Sequence, residues 1–498
     1  MSASEPPESR SASPLVPASK VPQTPVVAIV GHPNAGKSSI VATLTENDRI
    51  EIDQRSGTTR TSDAYPVRIN GRTVITFIDT PGFQNPRHIL EWFQAHADAP
   101  NLGAAFIAAH ADDPLFSHDC GLLQPLADCA GVILVVDGSK RIKEKDRVEL
   151  ELLRLSGRPR MAILNNLSAE ERYLDTWQDS LNKYFNVVRL FNAHRATYEE
   201  RIALLNALKV IDQRWEPILE ETIQAFEQDW ERRIQSTARI IIALLHRALS
   251  HRVSKSAQID EADQDAQRQQ IAEELTDALR EQLRRFEAAT RAEIRAQFSH
   301  NVWDLPLGSL LAKDLFEDDV EQALGLQRSH MIATGVATGA ITGGALDISL
   351  AGLALGTATV IGGVLGGALG YFGDTVLAKV DIRRALDYKT FSLGPVSNPR
   401  FPFVLLDRIL LYCALAMNWS HGRKAADETA PNPVLDRTPK IKQGFTVDLT
   451  RKDQITLAKF FSAARRSKTG RHEQEVCTII ERLLRELSHD DVDERTAV

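Results

Sequence analysis

The stretch VVAIVGHPNAGKSS occupies residues 26–39 and decides the fold. Its first five residues are apolar and mostly β-branched, which predicts a buried strand. The turn that follows matches the pattern G-x-x-x-x-G-K-[ST], in which backbone N–H groups surround phosphate oxygens. The helix expected to begin near Lys37 directs the positive end of its dipole at the same anion. The stretch therefore predicts a strand, a phosphate-binding turn and a helix.

Further apolar runs indicate that this strand belongs to a parallel sheet wrapped by helices. The runs are VITFID (74–79), GVILVVD (131–137), RMAILNN (160–166) and NVVRLF (186–191). We predict an α/β fold with a mostly parallel sheet and flanking helices over residues 26–212, followed by a mainly α-helical C-terminal half.

Two more motifs supply groups for a nucleoside triphosphate and its metal. Lys37 is expected to reach the β- and γ-phosphates, and the Ser38 hydroxyl to ligate Mg²⁺. The loop SGTTR (56–60) offers a threonine that completes Mg²⁺ coordination when a γ-phosphate is present. Asp79 ends a predicted strand and supports Mg²⁺ through water, while the Gly82 N–H bonds the γ-phosphate. We therefore predict a magnesium-dependent nucleotide site.

These motifs resemble those of the TrmE–Era class of P-loop GTPases, whose signature runs G-x-P-N-x-G-K-S-S, G-T-T-R, D-T-P-G. The resemblance covers residues 26–212 and implies GTP and GDP as ligands and GTP hydrolysis as the reaction. It makes Thr59 the Mg²⁺-binding threonine and gives Asn34 two alternative roles, a K⁺ ligand or a residue that shapes the loop. The nucleotide-binding set it implies is Gly31, Asn34, Ala35, Gly36, Lys37, Ser38, Ser39, Asn165 and Ala193.

The sequence departs from this class at the position that orients the attacking water in Ras-like enzymes. Phe83 stands there in place of glutamine, so we expect slow hydrolysis or another residue that positions water. Related potassium-stimulated enzymes use a glutamate about a dozen residues after the D-x-x-G aspartate. Glu91 occupies that position here, and it is either this group or a surface charge on a helix.

The base-recognition motif also differs. The expected N-K-x-D reads Asn165-Asn166-Leu167-Ser168, so the aspartate that accepts hydrogen bonds from guanine is missing. The family's S-A-K loop reads Phe191-Asn192-Ala193-His194, which keeps only the alanine. GTP stays the expected ligand on resemblance alone.

The remainder of the 498 residues divides by composition. Residues 1–25 hold six of the 22 prolines and are predicted to be a disordered arm. Residues 213–300 are predicted to form long coiled-coil-like helices with one apolar stripe, 301–380 a glycine-rich apolar helical hairpin, and 381–498 a helical domain. The stripe consists of Ile271, Leu275, Leu279, Leu283 and Phe286. The whole resembles a bacterial GTPase family whose C-terminal half is a domain of unknown function.

Candidate partners come from two unusual stretches. The segment 331–373 carries one charged residue, Asp347, and glycines four apart, which suits either insertion into an anionic membrane or a packed hairpin that self-associates. The basic stretch 437–472 is either solvated loop charge or a surface for anionic lipid or RNA, with RNA the weaker of these two because few aromatic residues interleave the charges. The net charge of −7 excludes a polyanion-binding surface over the whole molecule. We expect a cytoplasmic protein, either free or held at the inner membrane.

Histidines and a cysteine cluster between the D-x-x-G motif and the third strand. They are His88, His96, His110, His118 and Cys120. Their spacings match no zinc pattern, so we expect hydrogen-bonded or solvated side chains in an enlarged switch II.

Overall fold

The structure is a computed structural model of the chain. It describes residues 24–32, 34–45, 63–69, 72–128, 130–165, 172–191, 198–258, 264–298, 315–316, 371–372, 375–376, 380–385, 388–418, 444–468, 470 and 472–488. Thr59, Ala193, the residues 166–168 and nearly all of 331–373 lie outside these ranges.

A six-stranded sheet organises the N-terminal half. Its strands are β1 (Val26–Val30), β2 (Asp63–Ile69), β3 (Arg72–Asp79), β4 (Gly131–Asp137), β5 (Arg160–Asn165) and β6 (Val188–Phe191). Their order is β2-β3-β1-β4-β5-β6, with every pairing parallel except that of β2 with β3. The predicted α/β class is confirmed, and β2 is an edge strand that the apolar runs did not reveal.

Helices cover both faces of this sheet, as buried strands with apolar side chains on both sides require. They are α1 (Lys37–Thr45), α2 (Pro86–Ala95), α3 (Leu102–Ala109), α4 (Ser117–Ala127), α5 (Glu144–Leu155), α6 (Leu174–Leu181) and α7 (Tyr198–Ile211). One apolar core joins the sheet to α1 and α7, and a second joins it to the helices α2 to α6. Both the P-loop and Asp79 lie at the carboxyl ends of strands, which is where open α/β sheets bind ligands.

The C-terminal half is mainly helical, as predicted. Its helices are α8 (Glu216–Ser250), α9 (Gln264–Gln297), α10 (Phe401–Met417), α11 (Arg451–Arg465) and α12 (Glu473–Ser488). The predicted stripe on α9 is buried or partly buried in one large core that it shares with the other four helices. Within the described ranges, no helix combines the length and apolar content needed to cross a membrane.

Short antiparallel strands accompany these helices and were not anticipated. A three-stranded sheet has the order β10-β11-β7, formed by β7 (Val253–Ala257), β10 (Val380–Ala385) and β11 (Tyr388–Leu393). A two-stranded ladder pairs β8 (Tyr371–Phe372) with β9 (Thr375–Val376).

Helix α8 belongs to both halves. Its 35 residues span about 52 Å at 1.5 Å per residue. Ile218 and Ile223 near its start pack in the core of the sheet, whereas residues from Ile234 onward pack in the core of the helical half. Tyr198 of α7 stacks on Trp230 of α8 with ring centroids 4.4 Å apart. One continuous helix therefore connects the sheet to the helical bundle.

Candidate nucleotide site

The turn between β1 and α1 has the backbone of a phosphate-binding loop. Gly31 has φ +142°, and a Cβ built there would lie 2.1 Å from the carbonyl oxygen of Val135, so only glycine fits. Gly36 and the exposed Asn34 also have positive φ, of 93° and 64°. Asparagine tolerates this left-handed conformation better than most residues, which agrees with a loop-shaping role for Asn34.

Lys37 lies inside the turn. Its side chain is buried, and Nζ donates hydrogen bonds to the carbonyl oxygens of Gly31 at 2.9 Å and His32 at 3.1 Å. Burial lowers the pKa of Lys37, while the nearby carboxylates of Asp79 and Glu149 oppose that shift. The ammonium group is thus held in the loop by carbonyls that a phosphate group could replace.

Ser38 and Asp79 meet across the end of the sheet. The Ser38 hydroxyl donates to Asp79 Oδ2 at 2.5 Å. The other oxygen, Oδ1, is buried and has no hydrogen-bond partner among the described residues. Burial raises the pKa of Asp79, with the hydrogen bond from Ser38 and the charge of Lys37 acting against it. A hydroxyl beside a carboxylate with an unused oxygen is a donor set that suits a hard, oxygen-preferring cation.

Asn165 connects β5 to the turn. It is fully buried, and its Nδ2 donates to the carbonyl oxygen of Ala35 at 2.8 Å. The side chain therefore stabilises the P-loop itself. Residues 166–171 and 192–197, which carry the altered base-recognition motifs, are not among the described residues.

The segment after Gly82 buries the side chain at position 83. The Phe83 side chain is 3% exposed and packs in the core that includes Ile89 and Phe93, so it does not occupy a catalytic slot facing solvent. Gly82 is half-buried next to it, and Glu91 lies on the exposed face of α2. The structure brings Gly31, Lys37, Ser38 and Asp79 together and leaves Glu91 outside this group.

Sequence reasoning missed a charged cluster behind the loop. His32 Nε2 lies 2.7 Å from Asp146 Oδ1 and 3.6 Å from Glu149 Oε1, both on α5. Burial raises the pKa of Glu149 to about 7, and no residue that the structure describes forms a hydrogen bond with its Oε1. Burial also acts to raise the pKa of Asp146, but hydrogen bonds from His32 and the Lys143 backbone outweigh it and hold that pKa below its usual value.

This cluster borders a cavity of about 230 Å³ between the P-loop, the end of β4 and α5. Its apolar wall includes Leu134, Leu150 and Trp177. The sequence contained no motif for the cluster, because Asp146 and Glu149 follow helical spacing on an ordinary charged helix. Only the packing of α5 against the loop reveals it.

The histidine-rich segment is explained by helix ends. His96 and His110 each stand at the C-terminal cap of a helix, with Nδ1 2.8 Å from the Trp92 carbonyl and 2.9 Å from the Phe106 carbonyl, respectively. Each imidazole also stacks on the aromatic ring four residues earlier. Among the described residues no group of three potential metal ligands occurs.

Comparisons with known proteins match the two halves separately. The family described as 50S ribosome-binding GTPase matches residues 26–166, and the family described as Domain of unknown function (DUF3482) matches residues 178–485. The GTPase Der of Salinispora tropica is 30% identical over 173 residues, which are 34% of this chain and 32% of that protein. The GTPase Der of Thermosynechococcus vestitus is 33% identical over 162 residues, 32% of this chain and 30% of that protein. The chain thus spans about a third of the length of these relatives.

A solved structure of Era in complex with MgGDPNP and nucleotides 1506–1542 of 16S ribosomal RNA is 15% identical and covers 48% of this chain and 75% of that chain, with a TM-score of 0.26. The match to the domain of unknown function covers well over half of the chain. This chain belongs to the family that carries the domain of unknown function DUF3482, and its N-terminal half is a P-loop GTPase domain.

Proposed function

We propose that this protein binds GTP with Mg²⁺ at the P-loop and hydrolyses it slowly, and that α8 carries the nucleotide state to the helical half. The observation that supports nucleotide binding best is the convergence of Lys37, Ser38 and Asp79. The ammonium of Lys37 donates to two loop carbonyls, and Asp79 Oδ1 has no hydrogen-bond partner in the described part of the chain. A buried carboxylate oxygen without a partner is costly, and a ligand that uses it removes that cost.

The residues present fit a magnesium ion. Ser38 would ligate it directly and Asp79 would hold its water, with Thr59 as the further ligand that the family resemblance suggests. The chemistry that such an ion would supply is neutralisation of the negative charge that develops on phosphoryl transfer. Lys37 would bind the β- and γ-phosphates, and the Gly82 N–H would donate to the γ-phosphate.

Slow hydrolysis follows from the way Phe83 packs. Its side chain is committed to the core and carries no hydrogen-bonding group, so position 83 cannot orient water. Glu91 remains a proposal for that role and requires α2 to bring an exposed carboxylate toward the phosphates. We expect single-turnover hydrolysis of GTP to be slow, and unchanged in Glu91→Gln if Glu91 is a surface charge.

Guanine preference and potassium dependence are separate proposals. For the base, GTP should displace a fluorescent GDP at lower concentration than ATP does; equal displacement would remove guanine selectivity. For the cation, Asn34 at positive φ occupies the place of the K⁺-binding asparagine of the related enzymes. Turnover should then fall when KCl is replaced by NaCl, and equal rates in the two salts would leave Asn34 a loop-shaping residue.

The central test is calorimetric titration of the full chain with GDP and a non-hydrolysable GTP analogue in Mg²⁺. Lys37→Ala should weaken binding at least about a hundredfold, since a buried cation bonded to phosphates is lost. Asp79→Asn should lower the affinity of the site for Mg²⁺ by about 10–100-fold. Lys183→Ala, at an exposed lysine beyond α6, is the matched control. No binding by the wild type, or an unaltered affinity in Lys37→Ala, would disprove the proposal.

Coupling through α8 is supported by its shared cores. Residues 192–197, which carry part of the altered base-recognition motif, immediately precede α7 in the sequence, and Tyr198 of α7 stacks on Trp230 of α8. A displacement of α7 on nucleotide binding would therefore reach the bundle without crossing a linker. Hydrogen exchange of α8 and α12 should differ between the GDP and GTP-analogue complexes, and identical exchange would exclude this route.

A second candidate function is association with RNA or the ribosome, which the description of the matched GTPase family favours. Arg451, Lys452, Arg466 and Lys468 are exposed on and after α11. Arg465 is not available in the same way, because its guanidinium donates to the Val396 and Asn398 carbonyls. Steeply salt-dependent binding to RNA, weakened by Lys452→Ala with Lys468→Ala, would support this function over a protein or membrane partner.

A further inference from the structure

The backbone just beyond Gly82 is held by two charged side chains from outside the motif. The first is Asp119 of α4, which is fully buried. Its carboxylate accepts hydrogen bonds from the Gln84 N–H at 2.8 Å, the Asn85 N–H at 3.2 Å and the Asn85 Nδ2 at 3.1 Å. Asn85 is the N-cap of α2 but makes no side-chain cap, because its amide is directed to Asp119 and to the Leu115 carbonyl instead.

The second side chain is Lys145 of α5. Its Nζ donates to the Phe83 carbonyl oxygen at 2.8 Å and lies 3.9 Å from Glu149 Oε1. Glu149 in turn lies 3.6 Å from His32 of the P-loop. The residues 83–85 are thus bonded to α4 through their N–H groups and to α5 through a carbonyl, while the Phe83 ring fills the core between them.

This arrangement fixes the position of a neighbouring donor. Gly82 immediately precedes the bonded residues 83–85, and its own backbone follows Asp79 at the end of β3. A charged carboxylate that accepts N–H donors makes bonds about twice as strong as neutral ones, and burial strengthens them further. Movement of the Gly82 N–H is therefore restrained on its C-terminal side by groups that the D-T-P-G motif does not contain.

We infer that Asp119 and Lys145 are positioning residues that hold the Gly82 N–H for a γ-phosphate, so that they set the preference of the site for a triphosphate over a diphosphate. The inference rests on the proposed nucleotide site and adds to it a determinant of which nucleotide is bound. A diphosphate has no γ-phosphate to meet Gly82, so loss of either residue leaves its affinity nearly unchanged. A residue that only stabilised the fold would affect both nucleotides alike.

The test compares the affinities of fluorescent GDP and fluorescent non-hydrolysable GTP analogue, both with Mg²⁺, for the full chain and its variants. Asp119→Asn replaces an accepting oxygen by an amide that faces the Asn85 donors, and Lys145→Met removes the bond to Phe83 while keeping the alkyl chain. Each substitution should lower the affinity for the analogue about five- to tenfold and the affinity for GDP less than about twofold. Asp128→Asn, at the exposed carboxylate that ends the same helix as Asp119, should change neither.

Thermal unfolding of each variant shows whether it is folded. If Asp119→Asn does not fold, Lys145→Met alone provides the test. Equal weakening of both nucleotides, or an unchanged ratio in folded Asp119→Asn and Lys145→Met, would overturn the inference and leave the proposed function intact. A wild type that binds neither nucleotide would overturn both.

Discussion

Buried carboxylates are treated differently in the two halves of this molecule. In the GTPase domain, Asp79 and Glu149 each keep one buried oxygen that forms no hydrogen bond within the described ranges. In the helical half, both oxygens of the fully buried Asp407 are used, accepting from the Thr446 N–H at 2.9 Å and the Thr446 hydroxyl at 2.8 Å. The fit is close enough that a Cβ on Gly444 would lie 2.1 Å from Asp407 Oδ2.

A neighbouring ion pair in the bundle also uses both oxygens of its carboxylate. Arg408, 1% exposed, donates from Nε to Glu287 Oε1 at 3.0 Å and from Nη2 to Oε2 at 3.4 Å, and Arg291 also binds Glu287. An unused buried carboxylate oxygen costs about 1–3 kcal/mol. The oxygen of Asp79 is therefore available to the proposed ligand, whereas the carboxylates of Asp407 and Glu287 are paired within the bundle.

The largest effect on stability is expected from breaking the buried ion pair between Arg408 and Glu287. Arg408→Met leaves Glu287 buried with less compensation and should lower the free energy of unfolding by about 3–5 kcal/mol. Denaturant titration measures this loss, and GDP affinity should stay within about twofold. Arg154→Met, at the exposed pair with Glu151 on α5, should cost only about 0.5 kcal/mol. A loss below about 1 kcal/mol in Arg408→Met would break the contrast.

Phe83 tests the nucleotide half in the opposite way, by adding a buried polar group. Phe83→Gln restores the residue of Ras-like enzymes but places an amide in the core, so we expect a stability loss of about 3 kcal/mol and no faster hydrolysis. Leu115→Gln, at a leucine that is 62% exposed, is the control and should change neither quantity. An increase in the single-turnover rate of Phe83→Gln would show that position 83 can face the phosphates.

The sequence predicted the part of the site that lies in short contiguous motifs. Lys37, Ser38 and Asp79 could be assigned because strand, turn and helix impose fixed spacings on phosphate-binding residues. Asp119, Lys145 and Glu149 could not, because each acts through a contact between distant segments, and their own helices show only ordinary charge patterns. Strand β2 was missed for a different reason, because Pro66 and charged residues interrupt its apolar alternation at the sheet edge.

Burial of Glu149 makes the stability of the GTPase domain depend on pH. Burial raises its pKa from 4.5 to about 7, so the folded state binds a proton that the unfolded state has already lost between these values. Its contribution to stability is therefore full below about pH 4.5 and is lost as pH rises through 7. Between pH 5 and pH 8 the wild type should lose about 2 kcal/mol relative to Glu149→Gln.

Denaturant titrations of the two proteins at several pH values give this difference directly. Glu144→Gln, exposed in the first turn of the same helix, should run parallel to the wild type. If the free energy of unfolding of Glu149→Gln had the same pH dependence as that of the wild type, neighbouring groups would already stabilise the charged carboxylate in the folded protein.

The smallest effect separates burial from pairing. Arg485 of α12 donates to Glu231 of α8 at 2.5 Å and 3.1 Å, the same chemistry as the Arg408 pair, but its side chain is 40% exposed. Water screens both charges, so Arg485→Ala should lower the free energy of unfolding by less than about 1 kcal/mol, and added salt should reduce even this. A double-mutant cycle with Glu231→Ala measures the pair itself. A coupling energy similar to that of Arg408 and Glu287 would mean that geometry, and not removal from water, makes the buried pair strong.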